Sequence, residues 1–329
     1  MKRKGLYIGA IFFSVAGFLL AILLNLVVPQ VADVTFEAHR IGNILLTAND
    51  VYLLVLAALT VGFVISGAVC AGDPDKRKKY AKKSAFRFAC GIALFFWDLL
   101  GTKLQILPQP FFPGPAGIME AFVAEGDFIL RNTLYSLRLY LCGFLLGTFI
   151  GILTGVLIGW FHKAHYWLSP VLNIAGVIPA VAWMPFALTL LPTPFSAAVF
   201  LIMICVWFQV ASLTVSGVQG TPKALMEAGK TLGANNLFLV MRVAIPNALP
   251  QIFTGITTAN ALAFTTLVMA EMMGQPGGLG YYINASKVWS AYYKVFASIL
   301  VMAILFSAIT KVLKLVEKKA LRWQKGVVK

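Results

Sequence analysis

The residues of this chain that could do chemistry are few and stand far apart. His162 and His165 are three positions apart, close enough for one helical turn to offer both imidazoles to a metal. They lie, however, in a short polar break between Trp160 and Trp167, where such side chains suit a membrane–water boundary. Cys70, Cys90, Cys142 and Cys205 sit singly inside apolar runs without ligand spacing and read as small buried hydrophobes. We therefore expect no metal site and no catalytic residues. A Gly-x-x-x-x-Gly-Lys-Ser/Thr loop is also missing, so the chain has no phosphate cradle of that kind. What remains is a handful of polar residues within apolar stretches. Asn260 and Glu271 are eleven apart, about three helical turns, and share a face, with Thr257 some 60° away. Asn173 and Gln209 lie on neighbouring apolar stretches. Such residues either line a path for a solute or bond one helix to another. Asp98, beside Trp97, reads as structural.

The elements that must position these residues are membrane helices. The chain has 329 residues, 60% hydrophobic and 12% charged, with a mean hydropathy of +0.85. A soluble fold of this length has too little interior for so much apolar surface, whereas lipid accepts it on the outside of a helix bundle. Stretches of roughly 20 apolar residues occur at 6–28, 51–71, 86–107, 134–160, 168–191, 195–218, 249–272 and 295–316. Pro179 and Pro185 lie inside the fifth and predict a kink or break. The first follows Met1-Lys2-Arg3-Lys4 and is too long for a cleaved signal, so we read it as a retained anchor. Eight spans with both ends in the cytoplasm put 21 of the 27 Lys and Arg residues inside and six outside. That asymmetry accounts for the formal charge of +15 without a nucleic-acid partner. The basic run from Lys76 to Arg87 is then a topology determinant that could also hold anionic lipid headgroups.

Two further patterns carry physical content. Gly143, Gly147, Gly151, Gly155 and Gly159 repeat every fourth residue along one span, leaving a strip without side chains. Another helix can lie closely on it, either within this subunit or from a second one. The segment from Thr221 to Pro246, between two spans, offers Thr221 as N-cap, Pro222 at the first helical position and Glu227 in the early turns of a short helix. Gly229 and Gly233, four apart, leave one face of that helix nearly bare, as a fitting for another protein's socket would be.

These residues resemble a known family. Glu227-Ala228-Gly229, Gly233 and Val243-Ala244-Ile245-Pro246 are similar to the EAA loop of ATP-binding-cassette (ABC) importer permeases, E-A-A-x3-G-x9-I-x-L-P, with Gly229, Val243 and Ile245 as the departures. The nitrate, sulfonate and taurine branch is resembled further by Leu107-Pro108-Gln109-Pro110, Ser136-Leu137-Arg138 with Gly143-Phe144, and Ile178-Pro179 with Ala182 and Pro185. Ala270-Glu271-Met272-Met273-Gly274 and Gly278-Leu279-Gly280-Tyr281 continue the likeness. Leu191-Pro192-Thr193-Pro194 departs from the branch's usual F-G turn.

The resemblance implies an all-α polytopic bundle: a six-span core of the type I importer permease fold in residues 86–329, with a two-span extension in residues 1–85. It implies the membrane subunit of an importer in a prokaryotic cytoplasmic membrane, moving a nitrate-, sulfonate-, taurine- or bicarbonate-like anion or a vitamin precursor. It also implies cytoplasmic ATPase subunits that bind ATP and magnesium, an extracytoplasmic binding protein and a second permease, a homodimer in the simplest case. No cofactor is expected in this chain. Glu227, Ala228, Gly229 and Gly233, in a coupling loop at about 221–246, would dock on the ATPase. The alternative is an ion-gradient-driven transporter or channel. That reading calls for paired intramembrane charges, and Asp98 is unpaired in sequence.

Overall fold

A computed structural model describes residues 2–31, 38–41 and 44–323. Thirteen α-helices are formed among them. These are α1 (Lys2–Val27), α2 (Ala48–Cys70), α3 (Pro74–Lys82), α4 (Ser84–Asp98), α5 (Pro115–Trp160), α6 (His162–Val177), α7 (Met184–Leu190), α8 (Pro194–Gln219), α9 (Lys223–Thr231), α10 (Asn236–Leu239), α11 (Ile245–Met272), α12 (Leu279–Val288) and α13 (Tyr292–Ala320). One two-stranded antiparallel hairpin, β1 (His39–Ile41) and β2 (Ile44–Leu46), precedes α2. Seven helical segments are long and apolar enough to cross a bilayer. The α6 and α7 segments meet the same test only as a pair, bent by 100° where Ile178 and Pro179 leave the helix, so the spans number seven, or eight with the pair counted as one broken span. The break expected from the prolines is thus present.

The contacts divide the chain into two compact units. The first comprises Met1–Ile129 and Ala285–Ala297. In it α1 and α4 touch backbone to backbone at Gly17 and Gly91, where a methyl group on either would meet the other helix at 2.5 Å. Within this unit α4 thus lies directly on α1. One end of this unit is tied by buried polar groups. Asn25 Nδ2 donates to Asp98 Oδ2 (2.8 Å), Asn25 and Asn49 exchange side-chain amide bonds (3.0 Å each), and Lys103 Nζ donates to the Asn25 carbonyl (2.7 Å). Asp98 is structural, as its sequence context indicated. At the other end Arg87 stacks over Tyr80, 3.9 Å from the ring centroid.

The second unit comprises Leu130–Asn284 and Ser298–Lys329, and the glycine ladder is its spine. A Cβ on Gly143, Gly147, Gly151, Gly155 or Gly159 would strike Ile202, Val206, Val210, Thr214 or Val218 of α8, in that order, at 2.5–2.9 Å. The strip is thus a seam within the subunit rather than a subunit contact. Its partners also repeat every fourth residue, at a constant offset of 59, so the two four-residue ridges mesh along five consecutive turns. Trp207 Nε1 donates to Thr154 Oγ1 across the seam (2.9 Å).

Because both series ascend together, α5 and α8 run parallel. Chain that leaves α5 at the Gly159 end must return to the Gly143 end before α8 begins, and the bent α6–α7 pair makes that return. Thr193 and Ser196 then start α8 with a reciprocal capping box, and Pro194 sits in the first turn. In contrast α11 is antiparallel to α8, with Gly217 against Ala248 and Gln251, and Gly255 against Val210 and Leu213.

An isoleucine at Gly155 should destabilise the protein by about 1–3 kcal/mol through overpacking against Thr214 and the Ala211 carbonyl. An isoleucine at Gly62 of α2, which has no neighbour within 4 Å, should change little. Thermal unfolding of the two variants in detergent checks the contrast.

Candidate functional site

The loop between α8 and α11 builds a short helix outside the bundle. It starts one residue later than the sequence suggested. Pro222 occupies the N-cap position, so Thr221 is not the cap; it is buried, and its Oγ1 accepts from Asn247 Nδ2 at 3.4 Å. The helix stops at Gly233, whose φ of +79° is the left-handed geometry that glycine adopts freely. The Ala234 amide donates to the Gly229 carbonyl (3.0 Å) and the Gly233 amide to the Lys230 carbonyl (2.9 Å), the paired bonds of a Schellman turn.

The two glycines expected to leave a face bare serve the fold instead. A Cβ at Gly229 would meet Leu239 Cδ2 at 2.5 Å, so that face is filled by the chain's own α10. Gly233 has nothing within 4 Å and is there for its backbone. What α9 presents to solvent is Lys223, Ala224, Leu225, Glu227, Ala228, Lys230 and Thr231, with the apolar side chains of Leu232, Leu237 and Phe238 exposed close by in sequence. Its inner side is anchored by Met226, which packs against the cluster formed by Val218 of α8, Ala244 just before α11, and Ala248 and Ile252 within it. Neither the anchor nor the Leu239 contact was foreseen; a lone methionine in a polar loop was the available signal.

Two of the five polar residues considered for a path, Asn260 and Glu271, are engaged inside the bundle. Asn260 is 1% exposed, accepting from Tyr140 Oη (2.5 Å) and donating to Thr310 Oγ1 (3.0 Å). Glu271 is 1% exposed and receives the Gly280 amide on Oε2 (2.8 Å), which fixes the N-terminus of α12. Its neighbours complete a knot. The Gly278 amide donates to Asn132 Oδ1 and the Leu279 amide to Ser136 Oγ, both at 2.8 Å, and Tyr135 Oη donates to Gln275 (2.9 Å). Gly278, at φ +110°, has no room for a side chain because Glu271 fills the space. A residue that lines a water path must present surface, so Asn260 and Glu271 hold helices together. Thr257, partly exposed, donates back to the Phe253 carbonyl (2.8 Å); Gln209 is half-buried and Asn173 exposed.

The free polar surface of α11 lies on another stripe, Thr254, Thr258 and Thr265, within about 40° of arc. This stripe was missed, although hydroxyls recurring on one span could have shown it. Its Thr265 end borders a cavity of about 280 Å³, with Cys205 and Phe208 of α8 opposite and, as a wall, the break at Ile178 and Pro179 with the start of the 3₁₀ turn Ala180–Trp183. Irregular backbone at membrane depth is tolerated where it lines such a space or is buried in protein. Among the described residues no cluster of three or more His, Cys, Asp or Glu side chains could hold a metal. His162 is exposed, and His165 lies 3.5 Å from Gln219 Nε2.

Bent spans around a cavity, joined to a short helix outside the bundle, describe a transport subunit, and known proteins agree. The model of the family described as "Binding-protein-dependent transport system inner membrane component" matches residues 147–322. A putative ABC transporter permease of Methanocaldococcus jannaschii is 30% identical over 248 residues, covering 71% of this chain and 90% of that one. A putative aliphatic sulfonates transport permease of Bacillus subtilis is 28% identical, covering 71% and 85%. A bicarbonate transport system permease of a Synechocystis strain is 31% identical, covering 65% and 78%. An inward-facing structure of the MetNI methionine ABC transporter shares the fold, with a TM-score of 0.52 at 22% identity over 59% of this chain and 96% of that one. The chain belongs to the family of binding-protein-dependent transport inner membrane components. It is a multi-pass permease subunit of an ABC importer, in whose family ATP hydrolysis lies in a separate subunit.

Glu271→Ala should free the α12 terminus and cost about 1–3 kcal/mol by leaving buried donors unpaired. Glu271→Gln keeps an acceptor for the Gly280 amide and should retain most of that stability and transport. Thermal unfolding and uptake, measured together, separate this knot from a role in the path, for which both variants would transport poorly at unchanged stability.

Proposed function

We propose that this permease couples ATP hydrolysis in a cytoplasmic partner to passage of a small anion along the α8–α11 cavity. The observation that carries this reading is the continuity from α9 to the cavity. Met226 seats α9 on the ends of α8 and α11, and the same two helices wall the space at Cys205, Phe208, Leu262 and Thr265. A partner that grips the exposed side of α9 therefore acts directly on helices that border the path. Glu227 and Ala228 would make that contact, with Gly229 and Gly233 holding the helix in shape.

An anion is favoured because relatives are named for sulfonates, nitrate and bicarbonate. The cavity residues include no carboxylate that would repel an anion. The charge asymmetry supports both termini being cytoplasmic, with residues 1–85 an addition to the importer core. ATP and magnesium would be held by the ATPase partner, with no cofactor in this chain. A second permease copy, as a homodimer, and an extracytoplasmic binding protein would complete the assembly.

Ala228→Trp should leave the thermal transition intact while abolishing both co-purification of the ATPase and uptake. Thr265→Trp should keep the ATPase bound yet slow uptake at least tenfold by filling the cavity. Normal uptake by Ala228→Trp would remove the coupling assignment. Uptake that survives ATP depletion and stops with an ionophore would instead favour an ion-gradient mechanism.

A further inference from the structure

The end of α13 carries a charged surface that neither the coupling segment nor the cavity uses. Lys311, Lys314, Lys318 and Arg322 fall within about 80° of arc, and all four are exposed. They continue a shallow, open groove along the face of α13 that begins at Phe306 and Ser307, deeper in the same span, and runs along Lys311, Lys314 and Lys318. From Ser307 to Lys318 the chain rises roughly 16 Å. The surface thus changes from apolar through hydroxyl to cationic along one helix, as a phospholipid changes from acyl chain to phosphate.

We propose that this groove binds an anionic phospholipid, with its acyl chain along Phe306 and its phosphate among Lys311, Lys314 and Lys318. Depth and charge both select this occupant. A water-soluble acidic protein would meet the lysines but would not reach Phe306 inside the span. A second copy docking through the same face about a two-fold axis would oppose like charges. The basic helix α3 differs, because Lys76 is drawn to Asp73 (3.6 Å) and the helix has no exposed apolar turn of its own to receive an acyl chain. The inference needs only that α13 spans the bilayer, which its length and apolarity provide, and it stands whether or not α9 is the coupling element.

Native mass spectrometry of the full chain in detergent, titrated with phosphatidylglycerol or phosphatidylcholine, tests the site. Each basic side chain near an anionic surface is worth a factor of about five. The triple variant Lys311→Gln/Lys314→Gln/Lys318→Gln should therefore bind phosphatidylglycerol at least tenfold more weakly, while the corresponding Lys→Arg triple keeps it. The α3 variant Lys76→Gln/Lys78→Gln/Lys79→Gln should bind as the unmodified chain does. Equal binding of the two lipids, or full retention by the α13 Gln triple, would overturn the proposal. Complete displacement by millimolar inorganic phosphate would also overturn it, assigning the lysines to a free anion. If the Gln triple does not show a normal thermal transition, the single variant Lys314→Glu replaces it, with a loss of about tenfold expected and no loss counting against the site.

Discussion

Two neighbouring helices that cross lipid in the same direction require some third element to bring the chain back between them. The α5–α8 seam imposes this condition, because its five glycines and their five partners keep one offset over their whole length. In lipid the hydrophobic effect does not drive helices together, so close backbone approach and dispersion must hold the pair. A single bulky side chain in the row would separate the helices over several turns. The return element is the α6–α7 pair, and at its 100° bend Ile178 and Pro179 leave the helix beside α8 and α11. The cavity is thus linked to the seam: a parallel pair demands a return, and the broken return leaves irregular backbone that borders a space.

The same medium decides where polar groups go. An amide or carboxylate facing hydrocarbon without a partner costs several kcal/mol, and the most buried ones here are spent on partners within the chain. Asn260 links α11 to Tyr140 and Thr310, Glu271 holds the start of α12, and Asn25 gathers Asn49, Asp98 and Lys103. The threonines on the open stripe of α11 behave differently. Thr254, Thr258 and Thr265 donate to carbonyls four residues back, at 2.8–3.2 Å, and so satisfy their own hydroxyl protons while leaving oxygen lone pairs outward. Such a face tolerates lipid or water and binds neither strongly.

Much of this was legible in the sequence for a physical reason. Hydropathy over 20 residues reports the environment directly, so the spans were readable, and Pro179 marked the break because its ring cannot continue the backbone bonds. The glycine row was readable as a seam, but which helix it met was not, since that depends on long-range register. The chemical roles were least legible. Eleven residues between Asn260 and Glu271 put them on one face, yet a face says nothing about whether it meets water or another helix. Gly229 and Gly233 gave the right helix for an incomplete reason. An absent side chain is equally consistent with an open surface, an internal neighbour such as Leu239, or a left-handed turn, and only the packed structure distinguishes these.

That distinction changes how force must travel. If α9 were a bare peg on a flexible loop, a partner gripping it would move the loop and leave the spans at rest. With Leu239 filling the face at Gly229, the Schellman turn closing at Gly233, and Met226 seated among Val218, Ala244, Ala248 and Ile252, the loop is part of the bundle's packed end. Packed interiors deform little, so displacement is passed on until it reaches a joint that can bend. Above α9 the helices α8 and α11 meet tightly at Gly217 and Gly255 and have no joint between them. The break in helical structure on the cavity wall is at Ile178 and Pro179. A load applied at Glu227 and Ala228 would therefore move α8 and α11 together and be taken up at that segment, changing the width of the space beside Thr265.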